Sequence, residues 1–374
     1  MQRGLTARFP PAGRRAKVAP QAGDFFMPDT LAEPRLTSLA HGGGCGCKLA
    51  PNVLADILSE MPLSLGSKDL LVDAGTSDDA AVYRINETTA LVATTDFFTP
   101  IVDDPHTFGR IAATNALSDV FAMGGKPIFS LAIVGMPIGQ ISPETIRAIL
   151  AGGQSVAEAA GAPVAGGHSI DAAEPIYGLV AMGLVDPSRI LMNSNARAGD
   201  VLILGKPLGI GIYSAALKRE ILTPAHYEEM IASTTRLNTP GTDISAMEGV
   251  HAATDVTGFG LIGHGSEMAR GAGASLVIEK AKVPVFDGAR KLAEDGVKTG
   301  ASGRNWDSVK HMVTGEMTEV ERDLMCDPQT SGGLLVSCAA DVAEDVLALF
   351  ARHGHDGAAI VGRVEAGAPS VQII

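Results

Sequence analysis

The sequence predicts an α/β chain of the α+β type, divided into two domains. Three observations predict it. Strand-like pairs alternate with helical patterns along the chain. A polar, turn-rich stretch, "LMNSNARAGD" (191–200), interrupts that order near the middle. A chain of 374 residues that is 46% hydrophobic also carries enough apolar material for two cores. The expected division is a disordered extension over 1–35, an N-terminal domain over 36–195 and a C-terminal α/β domain over 196–374.

Each element has its own reason. Residues 1–23 carry Arg3, Arg8, Arg14, Arg15 and Lys17 with no acid before Asp24, and Pro10, Pro11 and Pro20 break any helix. The segment lacks the apolar core of a secretory signal, so it reads as a tail. Pro51 suits a first helical turn, and Leu54, Ile57, Leu58 and Met61 recur at helical spacing, which predicts one buried face. "AAVYRI" (80–85) and "TALVATTDFF" (89–98) flank a polar turn and predict a strand pair. A helix follows from Phe108 to Met123, closed by Gly124 and Gly125. "KPIFSLAIVGMP" is a strand, Ser142 and Pro143 open a second helix ending near Gly161, and "APVAGGHSID" and "EPIYGLVAMGLVD" are strand-like. The second half repeats the theme in "VLILGKPLGIG", "AATDVTGFGLIGHGSEMARG", "ASLVIEKAKVPV" and "CDPQTSGGLLVS", with a last helix around "AEDVLALFARHG".

Charge and composition exclude several functions. A formal net charge of -13 and an aromatic fraction of 4% leave little for a basic, base-stacking groove, so no nucleic-acid partner is expected. No apolar run reaches the roughly 18 to 20 residues of a membrane helix, so no membrane association is expected. The four cysteines, Cys45, Cys47, Cys326 and Cys338, are too few and too clustered for a secreted disulfide framework, and a reducing cytoplasm is the expected compartment.

Two features carry chemistry. Asp78 and Asp79 stand at the mouth of a strand, Asp96 ends a β-run, Asp119 lies in an apolar helix with Asn115 one turn earlier, and Asp255 follows a short apolar run. Carboxylates gathered from separate elements suit Mg²⁺ beside phosphates, although any one of them alone also reads as a turn former or cap. Asp119 resists that plainer reading, because a carboxylate among apolar helical neighbours is costly unless paired or metal-bound. The second feature is "HGGGCGCKLAP" (41–51), a glycine-rich loop with two cysteines and a lysine. Half of a metal cluster and a reversible redox pair are alternatives. The favoured reading is a reactive Cys45 whose thiolate is promoted by Lys48 and by the adjacent helix N-terminus.

In the order "HGGGCGCK", "SDDAAVY", "TTDFFTPIVDDP", "NALSDVFAMGG", "AGGHSI", "ATDVTGFGLIGH" and "DPQTSGGLL", the chain resembles the selenide, water dikinase (selenophosphate synthetase) family, over roughly residues 36–370. Most of these motifs are shared with the wider aminoimidazole ribonucleotide synthetase-like superfamily, and the Gly-Cys-Gly-Cys-Lys loop distinguishes this branch from the thiamine monophosphate kinases and the purine-pathway synthetases.

The resemblance implies a two-domain superfamily architecture in which N-terminal domains pair in a homodimer to form a β-barrel. It implies synthesis of selenophosphate from selenide, ATP and water, with release of AMP and orthophosphate. The cofactors implied are Mg²⁺, with K⁺ as a further candidate, and a selenium-delivery protein is a candidate partner. Carried over by motif, Cys45 and Lys48 are the catalytic pair, on a mobile loop over 41–50. Asp79, Asp119 and Asp255 are metal ligands, and Asp96 contacts both metal and nucleotide. Lys48 and Asp119 also contact the nucleotide, together with Thr76, Ser77 and Asp78. Gly167, His168 and Ser169 are implied to reach the ATP site from the partner subunit. "DPQTSGGLL" is expected to be structural, and His264 either to lie near the phosphates or to make a structural hydrogen bond.

Overall fold

The structure, a computed structural model, describes residues 33–48, 53, 57, 67–73 and 78–374. The expected tail up to Ala32 and most of the helix opened by Pro51 lie outside these residues. Two corrections fall at their edges. Glu33 and Arg35, assigned to the disordered extension, are held: Glu33 accepts from the Ser142 backbone N–H at 2.8 Å and the Thr145 hydroxyl at 2.6 Å, and Arg35 pairs with Asp103 at 2.7 Å. Carboxylate bonds to a helix N-terminus order that short segment. Ile57, counted toward a buried helical face, is 52% exposed, while Leu54, Leu58 and Met61 of the same expected face lie outside the described residues.

The first half forms a six-stranded sheet from β1 (Leu70–Val72), β2 (Ala81–Asn86), β3 (Thr89–Phe98), β4 (Lys126–Met136), β5 (Val164–Asp171) and β6 (Ile176–Val185), in the order β1-β2-β3-β6-β4-β5. All pairings are antiparallel except β4 with the edge strand β5. Two helices, α1 (Pro105–Ala122) and α2 (Pro143–Ala159), cover one face. The second starts as the sequence predicts, with Pro143 in its first turn and Ser142 accepting from the Thr145 N–H at 3.1 Å; the first begins three residues before the expected Phe108, at Pro105, because Asp104 caps it by accepting from the Thr107 N–H at 2.7 Å. They cross closely because of glycine. A Cβ on Gly109 would lie 1.9 Å from the Ile149 carbonyl oxygen, and one on Gly152 would lie 2.0 Å from that of His106.

After the junction, β7 (Val201–Leu204) begins a seven-stranded sheet with β8 (Val250–Asp255), β9 (Ser275–Ile278), β10 (Val313–Thr314), β11 (Leu334–Cys338), β12 (Ala359–Glu365) and β13 (Ser370–Ile373), in the order β10-β13-β9-β12-β7-β11-β8. Its helices are α3 (Ile210–Lys218), α4 (Pro224–Thr234), α5 (Pro240–Ile244), α6 (Gly260–Ala272), α7 (Asp287–Glu294), α8 (Gly300–Val309), α9 (Glu319–Met325) and α10 (Ala343–Arg352). Strand alternation divides its residues between two cores. Leu202, Leu204 and Leu335 pack with Leu261, Ile262 and Met268 of α6, while Ile203, Leu334 and Val336 pack with Val346, Leu349 and Phe350 of α10.

The helix α1 is apolar nearly all round, and it is buried accordingly, since residues of α3 and α4 from the second half join its core. The polar junction is docked too, with the backbone N–H of Asn193 donating to Asp78 Oδ1 at 2.7 Å.

Candidate active site

The site forms where β3, α1, β8 and the cysteine loop meet. On β3 the even positions Ala90, Val92, Asp96 and Phe98 face inward, so its pleat carries Asp96 to the face against α1. From α1, Asn115 and Asp119 project one turn apart. Asp119 accepts from the Thr94 hydroxyl at 2.5 Å, and Asn115 Nδ2 donates to Asp96 Oδ2 at 2.5 Å. Asp79, just before β2, accepts from the hydroxyl of Thr254 on β8 at 2.8 Å, which brings it toward Asp255 at the end of that strand.

The loop turns through Gly44–Cys47, with Gly44 at φ 56, and is tied to the strand end by the Gly44 N–H donating to Thr99 O at 2.9 Å. Its seat is Gly258, where a Cβ would come within 2.9 Å of the Cys45 carbonyl oxygen and 3.3 Å of the Lys48 side chain. Cys45 is buried. Its thiol donates to Asn115 Oδ1 at 3.0 Å, and its backbone N–H donates to Thr330 Oγ1 at 3.2 Å. Lys48 Nζ lies 3.2 Å from Asp96 Oδ2, on a side chain that keeps 37% exposure. One amide therefore joins the thiol to the carboxylate that holds the lysine.

The electrostatics follow from these positions. Burial, then the neighbouring charges of Asp255 and Asp119, raises the Asp79 carboxyl well above its ordinary value. Burial and the charges of Asp255 and Asp96 do the same at Asp119, and burial raises Asp255 against the opposing bond from Ser118. Burial works against the Lys48 ammonium, but attraction from Asp96 and the other carboxylates wins and raises it. The expectation that Lys48 promotes a Cys45 thiolate is corrected. Burial, reinforced by the Asp96 charge, outweighs the lysine and pushes the thiol well up, so it rests protonated.

Among the described residues no three His, Cys, Asp or Glu side chains form a ready metal cage. The donor set nonetheless suits a hard cation, because Asp79 Oδ2 and Asp255 Oδ2 are buried with no hydrogen-bond partner and like charges crowd together.

The sequence-predicted residues thus divide. Cys45, Lys48, Asp79, Asp96, Asp119 and Asp255 come together, Asp78 lies beside Asp79 and also accepts from the junction at Asn193, and Thr76 and Ser77 lie outside the described residues. Gly167, His168 and Ser169 lie on the exposed edge strand β5. His264 makes local contacts, its Nε2 lying 3.3 Å from the Thr257 hydroxyl and 3.4 Å from the Phe259 N–H and its ring stacking on Phe259, and it also acts on the Asp255 carboxyl of the cluster. Cys326 and Cys338 are buried core thiols pushed up to about 12 by burial.

Sequence reasoning underrated two parts. Asn115 accepts from Cys45 and also from the Ser331 N–H at 2.8 Å, and the visible signal was an amide in an otherwise apolar helix. The "DPQTSGGLL" turn reaches the loop through Thr330 and reaches Asn115 through Ser331. Ser331 adopts φ 51, outside the usual range for a non-glycine residue.

Comparison defines the class of protein first. The AIR synthase related protein N-terminal domain matches residues 77–185, and the corresponding C-terminal domain matches residues 197–374. A thiamine-monophosphate kinase from Stenotrophomonas maltophilia superposes with a TM-score of 0.61 at 20% identity, covering 87% of this chain and 96% of its own. The hydrogenase maturation protein HypE in complex with ATP gives 0.56 at 18% identity, covering 89% and 90%. These likenesses establish the fold. The chain itself belongs to the selenide, water dikinase family: it is 59% identical to the enzyme of Pseudomonas straminea over 91% of this chain and 96% of that one, and 58% identical to that of Burkholderia pseudomallei over 91% and 97%.

Proposed function

We infer that this chain catalyses ATP-dependent synthesis of selenophosphate. Selenide attacks the γ-phosphorus of ATP, and water then cleaves the remaining ADP to AMP and orthophosphate. The product supplies activated selenium for selenocysteine and selenouridine formation. The observation that carries this reading is the Cys45, Asn115, Asp96 and Lys48 chain, which sets a covered thiol beside a phosphate-binding cation and a carboxylate cluster.

The residues have separate tasks. Lys48, pulled between Asp96 and solvent, receives the phosphate oxygens, so that charge developing in transfer meets a fixed cation. Asp79, Asp119, Asp255 and Asp96 would hold Mg²⁺, and Lys48, Asp78, Asp96 and Asp119, with Thr76 and Ser77, would hold the nucleotide. When bound, Mg²⁺ neutralises phosphate charge in this acidic site. K⁺ belongs to the same proposal as a monovalent activator. Cys45, seated on Gly258, receives selenide while the loop excludes water, and release of its seat exposes the thiol.

The remaining parts concern assembly. One face of the six-stranded sheet leaves Tyr83, Phe97 and Ile170 largely exposed, which supports a homodimer joined through that face. Ile133 pairs with His168 across β4 and β5, so the segment Gly167, His168 and Ser169 would be offered to the partner's nucleotide. A cytoplasmic location and a selenium-delivery protein complete the reading. No helix among the described residues is long and apolar enough to cross a membrane.

The test is AMP and selenophosphate formation, followed by ³¹P NMR with and without selenide. Cys45→Ser and Lys48→Ala are each expected to lower turnover roughly a hundredfold or more. Full activity in both variants, or AMP formation independent of selenide, would overturn the reading.

A further inference from the structure

Beside the cysteine loop, lined by its Gly42, Gly43 and Gly46 and by none of the site's carboxylates, lies a cleft of about 350 Å³. Its character is opposite to that of the chain. The net charge is -13, yet the described lining carries Lys218, Arg219, Lys298 and Arg304 and no carboxylate. Lys298 is neutralised by Glu319 at 2.7 Å and Asp323 at 3.3 Å, which leaves three cations to act on the cleft. The first turn of α8, at Gly300 and Ala301, opens into the same space and adds backbone N–H groups at a positive helix end.

Two of the three cations also grip the loop. Lys218 Nζ donates to the Ala40 carbonyl at 3.2 Å, just before the glycines, and Arg304 donates to the Gly46 carbonyl at 3.3 Å, between the cysteines. Neither group is saturated by one bond, since an ammonium carries three donors and a guanidinium five. The loop and a ligand in the cleft therefore draw on the same two side chains.

We propose that this cleft is a binding site for a tetrahedral oxyanion of the phosphate class, outside the catalytic site and coupled to the loop. Directional donors and a planar guanidinium match phosphate-type oxygens better than they match a soft monatomic selenide. Under the reaction inferred above, the two such ions at hand are the products orthophosphate and selenophosphate. An oxyanion in the cleft draws Lys218 and Arg304 from the loop carbonyls, which loosens the loop as product leaves. The identity of the ligand rests on that reaction, but the site does not.

The experiment needs neither ATP nor selenide, so its failure is distinct from failure of the reaction. Inorganic phosphate, and thiophosphate as a stable stand-in for selenophosphate, are titrated calorimetrically into the full chain in EDTA. Both are expected to bind. Lys218→Glu and Arg304→Glu, exposed substitutions that leave the core intact, are each expected to weaken binding roughly tenfold, while Lys48→Ala leaves it unchanged. The tighter of the two ions identifies the product that uses the cleft. Unchanged affinity in both charge reversals, or loss of binding in Lys48→Ala alone, would overturn the proposal, the latter by placing the ion among the aspartates.

Discussion

In the seven-stranded sheet both faces of β7 and β11 are packed, one against α6 and the other against α10, whereas in the six-stranded sheet the even face of β3 is covered by α1 and the odd face stays open among the described residues. The exposed face is not polar. Tyr83 pairs across from Leu91, and Phe97 is 46% exposed and Ile170 58%. A doubly covered sheet is complete within one chain, while a sheet with one bare apolar face calls for a cover from elsewhere. Asp96 and Asp119 of the candidate site lie on the covered side of the incomplete sheet, and under the proposed function the bare side is left for assembly.

The comparison is broken most severely by attacking the complete sheet. Val336→Asp places a charge between two packed layers and is expected to cost roughly 4 kcal/mol or more, leaving no cooperative unfolding transition by calorimetry. A folded variant would mean that the second face is not packed.

Next comes Lys206, which follows β7 and pins the turn that reaches Asn115. Its ammonium is buried and donates to the carbonyls of Arg236 at 2.7 Å, Ser331 at 2.8 Å and Ser233 at 3.3 Å. Burial, helped by Arg236 and opposed by Asp255, lowers its pKa from 10.5 to about 7. Between those values the unfolded chain holds a proton that the native chain gives up, so this residue's contribution to stability rises with pH. Lys206→Met is expected to cost about 2 kcal/mol at pH 7 and more at pH 9, measured by urea unfolding. A cost that shrinks with rising pH would contradict the assignment.

The smallest effect on the monomer, and the sharpest on the comparison, is Phe97→Asp. On the bare face it is expected to change monomer stability by less than about 1 kcal/mol, yet weaken self-association roughly a hundredfold by light scattering. Loss of monomer stability with retained association would place the cover inside the chain.

Much of this arrangement is legible in the sequence. The "TALVATTDFF" run, the Ser142 cap with its proline, and Asp119 in an apolar helix each announce themselves through local rules. What is not legible depends on the partner of a surface. "TALVATTDFF" is apolar on both faces, and only α1 decides that Asp96 points inward. The short helices α3, α7 and α9 carry too few turns for a clear period and take their positions from packing. Cys45 is the plainest case, because sequence proximity to Lys48 argues for a thiolate while burial, which the sequence does not display, argues for the thiol and prevails.

That protonated, covered thiol has a consequence for durability. Peroxide attacks thiolates that it can reach, and under the proposed function Cys45 between turnovers is a covered thiol whose burial and Asp96 neighbour oppose ionisation. Damage by oxidants should therefore accumulate per catalytic cycle rather than per hour, with an idle preparation ageing slowly and a working one losing activity in proportion to its output.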